Sequence, residues 1–141
     1  MTDQPDVMEK SPAMATVALT ATTDPSGTVV ITGDKSKKTC PKGTGPHTFR
    51  FSLTDNTSPA QNVKFASLDT ADNWPACPPA PPAGLNSTQI PPEHVHISDL
   101  SASFKDKNDN ASPMDVGYAW NFTCDDGQQP KFDPIIDNRG K

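Results

Sequence analysis

Tyr118-Ala119-Trp120-Asn121-Phe122-Thr123-Cys124 is the stretch that decides the fold class. Side chains two apart on a strand share a face, so Tyr118, Trp120, Phe122 and Cys124 line one side and Ala119, Asn121 and Thr123 the other. The segment therefore reads as a half-buried β-strand with its aromatics inward. The same period recurs toward the N-terminus. Residues 16–23 place Val17, Leu19 and Ala21 on one face, residues 48–54 place Phe49, Phe51 and Leu53, and residues 62–68 place Val63 and Phe65. Residues 94–98 set Val95 and Ile97 opposite His94 and His96, and Leu100, Ala102 and Phe104 continue the alternation.

Turn chemistry separates these runs. Asp24-Pro25-Ser26-Gly27 has the residue order of a type I turn and predicts a hairpin between residues 16–23 and 28–32. Asp125-Asp126-Gly127 predicts a second hairpin, returning through residues 131–137. Pro134 has no amide hydrogen, which places that last strand at a sheet edge or on a bulge. Helix is limited to a short turn near residues 67–73. The expectation is an all-β fold, an immunoglobulin-like β-sandwich of seven or eight antiparallel strands, preceded by a loose arm over residues 1–13 and occupying residues 14–141.

Composition narrows the function classes. The 141 residues suffice for one core, and 16 prolines disfavour long helices. A net charge of -5 repels nucleic acid phosphates and anionic membranes, so neither is an expected partner. No apolar run approaches the roughly 20 residues that span a bilayer. The acidic start, with Asp3, Asp6 and Glu9, does not read as a signal peptide, so the expectation is a cytoplasmic location, with a leader removed ahead of this numbering as the alternative. Cys40, Cys77 and Cys124 lack CxxC spacing; reduced thiols are the preferred state, with a Cys40–Cys77 disulfide as the alternative.

Phe132-Asp133-Pro134-Ile135-Ile136-Asp137-Asn138, following Tyr118-x-Trp120-x-Phe122, resembles the C-terminal Asp-Pro signature of the DP-EP family, small bacterial β-sandwich proteins. The resemblance implies a sandwich fold and a bacterial source. It brings no activity and no site residues.

Two segments carry candidate chemistry. His94 and His96, at i and i+2 on a strand, project from one face and suit a Cu or Zn ion if further ligands such as Glu93, Asp99 or a cysteine converge on them. A cupredoxin site is excluded, because no Cys, His and Met cluster follows a late strand. Asp106-Lys107-Asn108-Asp109-Asn110 resembles the calcium linker of cadherins, and the oxygens of Asp106, Asn108 and Asp109 are hard ligands of the kind calcium takes. A solvated Asx turn explains the same composition. The lysine loop with Lys35, Lys37, Lys38 and Lys42 has no Gly-Lys-Ser/Thr ending and is not a P-loop. No nucleophile stands beside a base, so no catalytic residues are assigned and no cofactor is expected unless one of these ions binds. The proline-rich segment 74–84 is either a contact for a protein partner or a rigid loop packed across the sandwich by Trp74. The leading expectation is a non-enzymatic binding or structural module acting through a loop end or sheet edge, with the metal-dependent protein as the alternative.

Overall fold

A computed structural model describes residues 13–77 and 79–141. The expected arm, residues 1–13, lies outside the described residues except for its last member. Ten strand segments form two sheets, with no α-helix among the described residues. In chain order they are β1 (Ala13–Thr23), β2 (Val29–Thr32), β3 (Lys38–Cys40), β4 (His47–Asp55), β5 (Lys64–Asp72), β6 (Val95–Ile97), β7 (Ser101–Asp106), β8 (Met114–Thr123), β9 (Lys131–Phe132) and β10 (Ile135–Asn138). One sheet runs β2-β1-β4-β7-β6; the other runs β3-β10-β8-β5, with β9 also paired to β8.

Both predicted hairpins form, β1 with β2 and β8 with β9 and β10. At the first, Asp24 Oδ1 accepts the amides of Ser26 and Thr28, each at 2.9 Å, and Gly27 closes the turn at φ 88°. The aromatic positions form one core across both sheets. Phe51 meets Trp120 at 5.4 Å and Tyr118 at 5.7 Å between ring centroids, while Phe104 meets Phe49 at 5.2 Å and Tyr118 at 5.1 Å. Three of these pairs are edge-on and Phe49–Phe104 is stacked, arrangements favourable beyond the area they bury.

Several expectations need correction. The strand segments number ten rather than seven or eight, and two pairings, β1–β4 and β3–β10, are parallel rather than antiparallel. A parallel pair needs a crossover between its strands. Here residues 33–46 supply it by leaving β2, adding β3 to the opposite sheet and returning as β4 beside β1. The lysine loop thus contains a strand that its charge conceals. Residues 67–73, read as a short helical turn, belong largely to β5, where a bulge between Phe65 and Ser67 restores the core parity. The last strand is not an edge: β10 lies between β3 and β8, and Pro134 sits in the break between β9 and β10, its carbonyl accepting the Tyr118 amide at 3.2 Å.

The outer face of the β8 sheet is covered. Gly117 and Ala119 point outward by parity yet are buried, and Trp74, at the head of the proline-rich segment, is seated on Gly117. Trp74 Nε1 donates to the Pro79 carbonyl at 2.8 Å, which fixes the indole within its own loop. Beyond that loop, Ser87 and Thr88 donate their hydroxyls to Asp72 at 2.5 and 2.6 Å and pin the segment's far end to β5.

Candidate functional site

The opposite outer face is open. On β4, Phe49, Phe51 and Leu53 face the core, so Thr48, Arg50 and Ser52 face out. On β7, Ala102, Phe104 and Asp106 face in, which turns Ser101, Ser103 and Lys105 outward. Register then aligns these side chains across the sheet. Thr16, Arg50, Ser103 and His96 form one row over β1, β4, β7 and β6. Met14, Thr48 and Lys105 form the next, and Ala18, Ser52 and Ser101 a third. Strands lie about 4.8 Å apart, so the first row spans roughly 14 Å.

A groove of about 750 Å³ follows this face, walled at the β6 side by Glu93 and His94 of the 3₁₀ turn Pro92–His94. A second hollow of about 570 Å³ shares His94 and Lys105 with it and continues to Lys107, Asp109 and Lys141. Four basic side chains, Arg50, Lys105, Lys107 and Lys141, and two acidic ones, Glu93 and Asp109, line the pair. Ion pairs elsewhere occupy Lys35, Lys37, Lys38, Lys64 and Arg139. Among the described residues Arg50, Lys105 and Lys141 have no acidic partner within 4.0 Å, and only Lys107 is paired, with Asp109 at 3.9 Å.

The structure brings both sequence-predicted histidines to this groove. His96 lies on the outer face of β6; His94 precedes the strand, in the 3₁₀ turn, and its buried Nδ1 has no hydrogen-bond partner among the described residues. Neither Glu93, which lines the wall, nor Asp99, which reaches toward Lys64 at 3.8 Å, completes a ligand set with them. Among the described residues no group of three or more His, Cys, Asp or Glu side chains is gathered as an ion site.

The Asp/Asn segment is divided between core and solvent. Asp106 and Asn108 are buried, and Asp109 is exposed. The alternation of β7 simply continues: Ala102, Phe104, Asp106 and Asn108 all hold the inward parity. On β10 the same occurs with Ile136 and Asn138. Where the two strands run out, the core therefore ends in a polar plug. Asp106 Oδ1 accepts Asn138 Nδ2 at 2.7 Å and the Asn108 amide at 3.0 Å. Asn108 gives its side-chain amide to the Pro41 carbonyl at 3.0 Å and accepts the Gly140 amide at 2.8 Å. Burial pushes the Asp106 carboxyl up to about 6, against the hydrogen bonds from Asn138 and Asn108 that favour its charge. Asp106 Oδ1 and Asn108 Oδ1 are thus engaged by protein donors, while the buried Asn138 Oδ1 has no partner among the described residues, and the arrangement ties β7 of one sheet to β3 and β10 of the other.

The three cysteines stand apart as free thiols. Burial raises the Cys40 thiol far above its ordinary range and pushes Cys77 up to about 11, which disfavours the nucleophilic thiolate at both.

Sequence reasoning missed Arg50, Ser103 and Lys105. Their signal was present as the polar half of the alternation on β4 and β7, but only register places the two halves side by side. No family model and no curated protein matches the chain.

Proposed function

We propose that this chain is a non-enzymatic binding module, an immunoglobulin-like variation on the two-sheet sandwich, whose working surface is the grooved outer face ending at the short edge strand β6. The carrying observation is the concave row Thr16, Arg50, Ser103 and His96, left open on one sheet while the proline-rich segment covers the other. Ligand sites are concave and combine a preformed floor with a few polar groups that fix orientation. A strand floor holds those groups more rigidly than a loop does.

The test is amide chemical-shift mapping with neutral, cationic and anionic small fragments. The reading expects at least one class to shift the amides of β4, β6 and β7 around Arg50, Ser103 and His96. Shifts from every class confined to other regions, or none at all, overturn it.

A second reading, a protein partner at the β6 edge, draws on two exposed apolar residues, Ile97 at the end of that strand and Leu100 beyond it. An added strand would gain main-chain hydrogen bonds along β6 and place apolar side chains over Ile97. Replacing Ile97 with Lys should abolish such pairing and leave fragment binding in the groove intact.

A further inference from the structure

We infer that the groove takes a small polyhydroxylated anion, a sugar phosphate or sugar acid, with Arg50 as the anchor of its charged group and Lys105 as a second contact. The inference rests on the binding-module reading and adds the chemical class of its ligand.

Charge is segregated in this molecule. The chain carries twelve basic and seventeen acidic residues. The groove and its extension hold four of the basic and two of the acidic ones, a local surplus of two positive charges. The remainder, eight basic against fifteen acidic, is net negative by seven. An anion is thus drawn to this face and repelled by the rest of the surface.

Within the surplus, Arg50 is the best-placed anchor. Its cross-strand neighbours, Thr16 and Ser103, are neutral hydroxyls, so the guanidinium fork has no carboxylate beside it in the sheet. A planar fork matches a carboxylate or phosphate with two parallel hydrogen bonds. Lys105 sits diagonally, one strand over and one row along, at roughly 8 Å between Cα atoms by sheet spacing. Both long side chains can reach one anionic group or two neighbouring ones from there.

The rest of the lining selects the body of the ligand. Thr48, Ser52, Ser101 and Ser103 present hydroxyls, each able to donate and to accept. That pattern matches ligand hydroxyls, which also do both. Phe51 and Phe104 lie beneath the floor, 2% and 1% exposed, and offer no stacking platform for a flat apolar ring. The volume of about 750 Å³ falls within the range of small-molecule sites and holds a sugar with its charged substituent.

The experiment titrates the full chain, by calorimetry and amide shift mapping, with glucose 6-phosphate, glucuronate, glucose and inorganic phosphate. Either sugar anion should shift the amides of Arg50, Ser103 and His96, more weakly as salt is raised, and should bind more tightly than glucose or inorganic phosphate. Arg50→Ala should weaken binding by about tenfold or more, and Arg50→Lys by less, with circular dichroism unchanged. Glucose binding as well as its phosphate in the groove would overturn the anionic class while leaving the binding-module reading in place. Inorganic phosphate binding as tightly as the sugar anions would overturn the polyol part. Full affinity in Arg50→Ala, or shifts confined to other surfaces, would overturn the site. Silence of the groove toward these four ligands, with other fragments shifting it, would again remove only this inference.

Discussion

On the β8 sheet, the outward position Gly117 is buried beneath Trp74, whereas the outward positions of the other sheet, Arg50 and Ser103, look onto an open groove. Both faces are set by the same pleat. What differs is the chain that follows. After β5 a long proline-bearing connection has the stiffness to lie across its own sheet, and small residues at 117 and 119 let it approach. On β4 and β7 the outward residues Thr48, Arg50, Ser52, Ser101, Ser103 and Lys105 are long or hydroxylated, and they line an open groove. A covered face turns outward positions into core, and an open one leaves them to solvent.

The core between the faces sets the scale. Trp120 is fully buried and touches rings from both sheets. Trp120→Ala should destabilise by about 3–5 kcal/mol, measured by denaturant unfolding. A loss below about 1 kcal/mol would mean that neither face rests on the aromatic core described.

Next in size is the polar plug that ties the two sheets at one end. A buried acid whose carboxyl sits at about 6, against 3.8 in an unfolded chain, holds its proton more tightly when folded. Its stabilising share is full below about pH 4, declines through about pH 4 to 6, and is gone above that window. The rise from 3.8 to about 6 corresponds to roughly 3 kcal/mol between the ends of the window. Asp106→Asn keeps an acceptor for Asn138 and Asn108 and cannot ionise. The variant should be the more stable at neutral pH, and the difference from wild type should shrink toward pH 4. Taking that difference isolates Asp106 from Asp24, Asp55 and Asp126, whose turn hydrogen bonds hold them below the usual carboxylate range. A difference independent of pH would sink the assignment.

On the covered face, a Cβ at residue 117 would stand 2.6–2.8 Å from Trp74 Cδ1, Cγ and Cβ, closer than carbon atoms approach. The contact involves the base of the side chain as well as its ring, so a rotamer change alone does not relieve it. Gly117→Ala should cost about 1–3 kcal/mol and expose the indole, read as a shift in tryptophan fluorescence. Unchanged stability and fluorescence would show that Trp74 is not seated there.

How legible these regions were follows from the same contrast. Alternation along Phe49, Phe51 and Leu53 and along Tyr118, Trp120 and Phe122 revealed the core, because period two is local information. Lys38 to Cys40 stayed hidden as a strand, since a three-residue segment among lysines carries too little pattern and gains its order from pairing with β10. Asp106 and Asn108 read as loop chemistry, and Asn138 carried no reading of its own, although each continues an inward parity set by Phe104 and Ile136. Polar residues on core parity are explained only when their partners are known, and Asn138 lies 32 residues from Asp106 in the chain. The groove was half legible. His94 and His96 were noticed as a pair, but Arg50 and Ser103 joined His96 only through register across three strands.

The smallest expected effect sharpens the comparison most. Arg50 occupies an outward position as Gly117 does, on a central strand of its own sheet, with hydroxyl neighbours and no acidic partner among the described residues. Truncating an exposed side chain away from caps, cavities and buried pairs changes stability by no more than about 0.5 kcal/mol. Removing a positive charge from a net-negative chain adds little to this, because surface charges are screened within about 10 Å at ordinary salt. Arg50→Ala should therefore unfold with wild-type midpoint and slope in urea, while Gly117→Ala does not. A loss of more than about 1 kcal/mol at Arg50 would show that the open face is held together by its polar row, and the contrast between a face used for packing and a face left for ligand would fail.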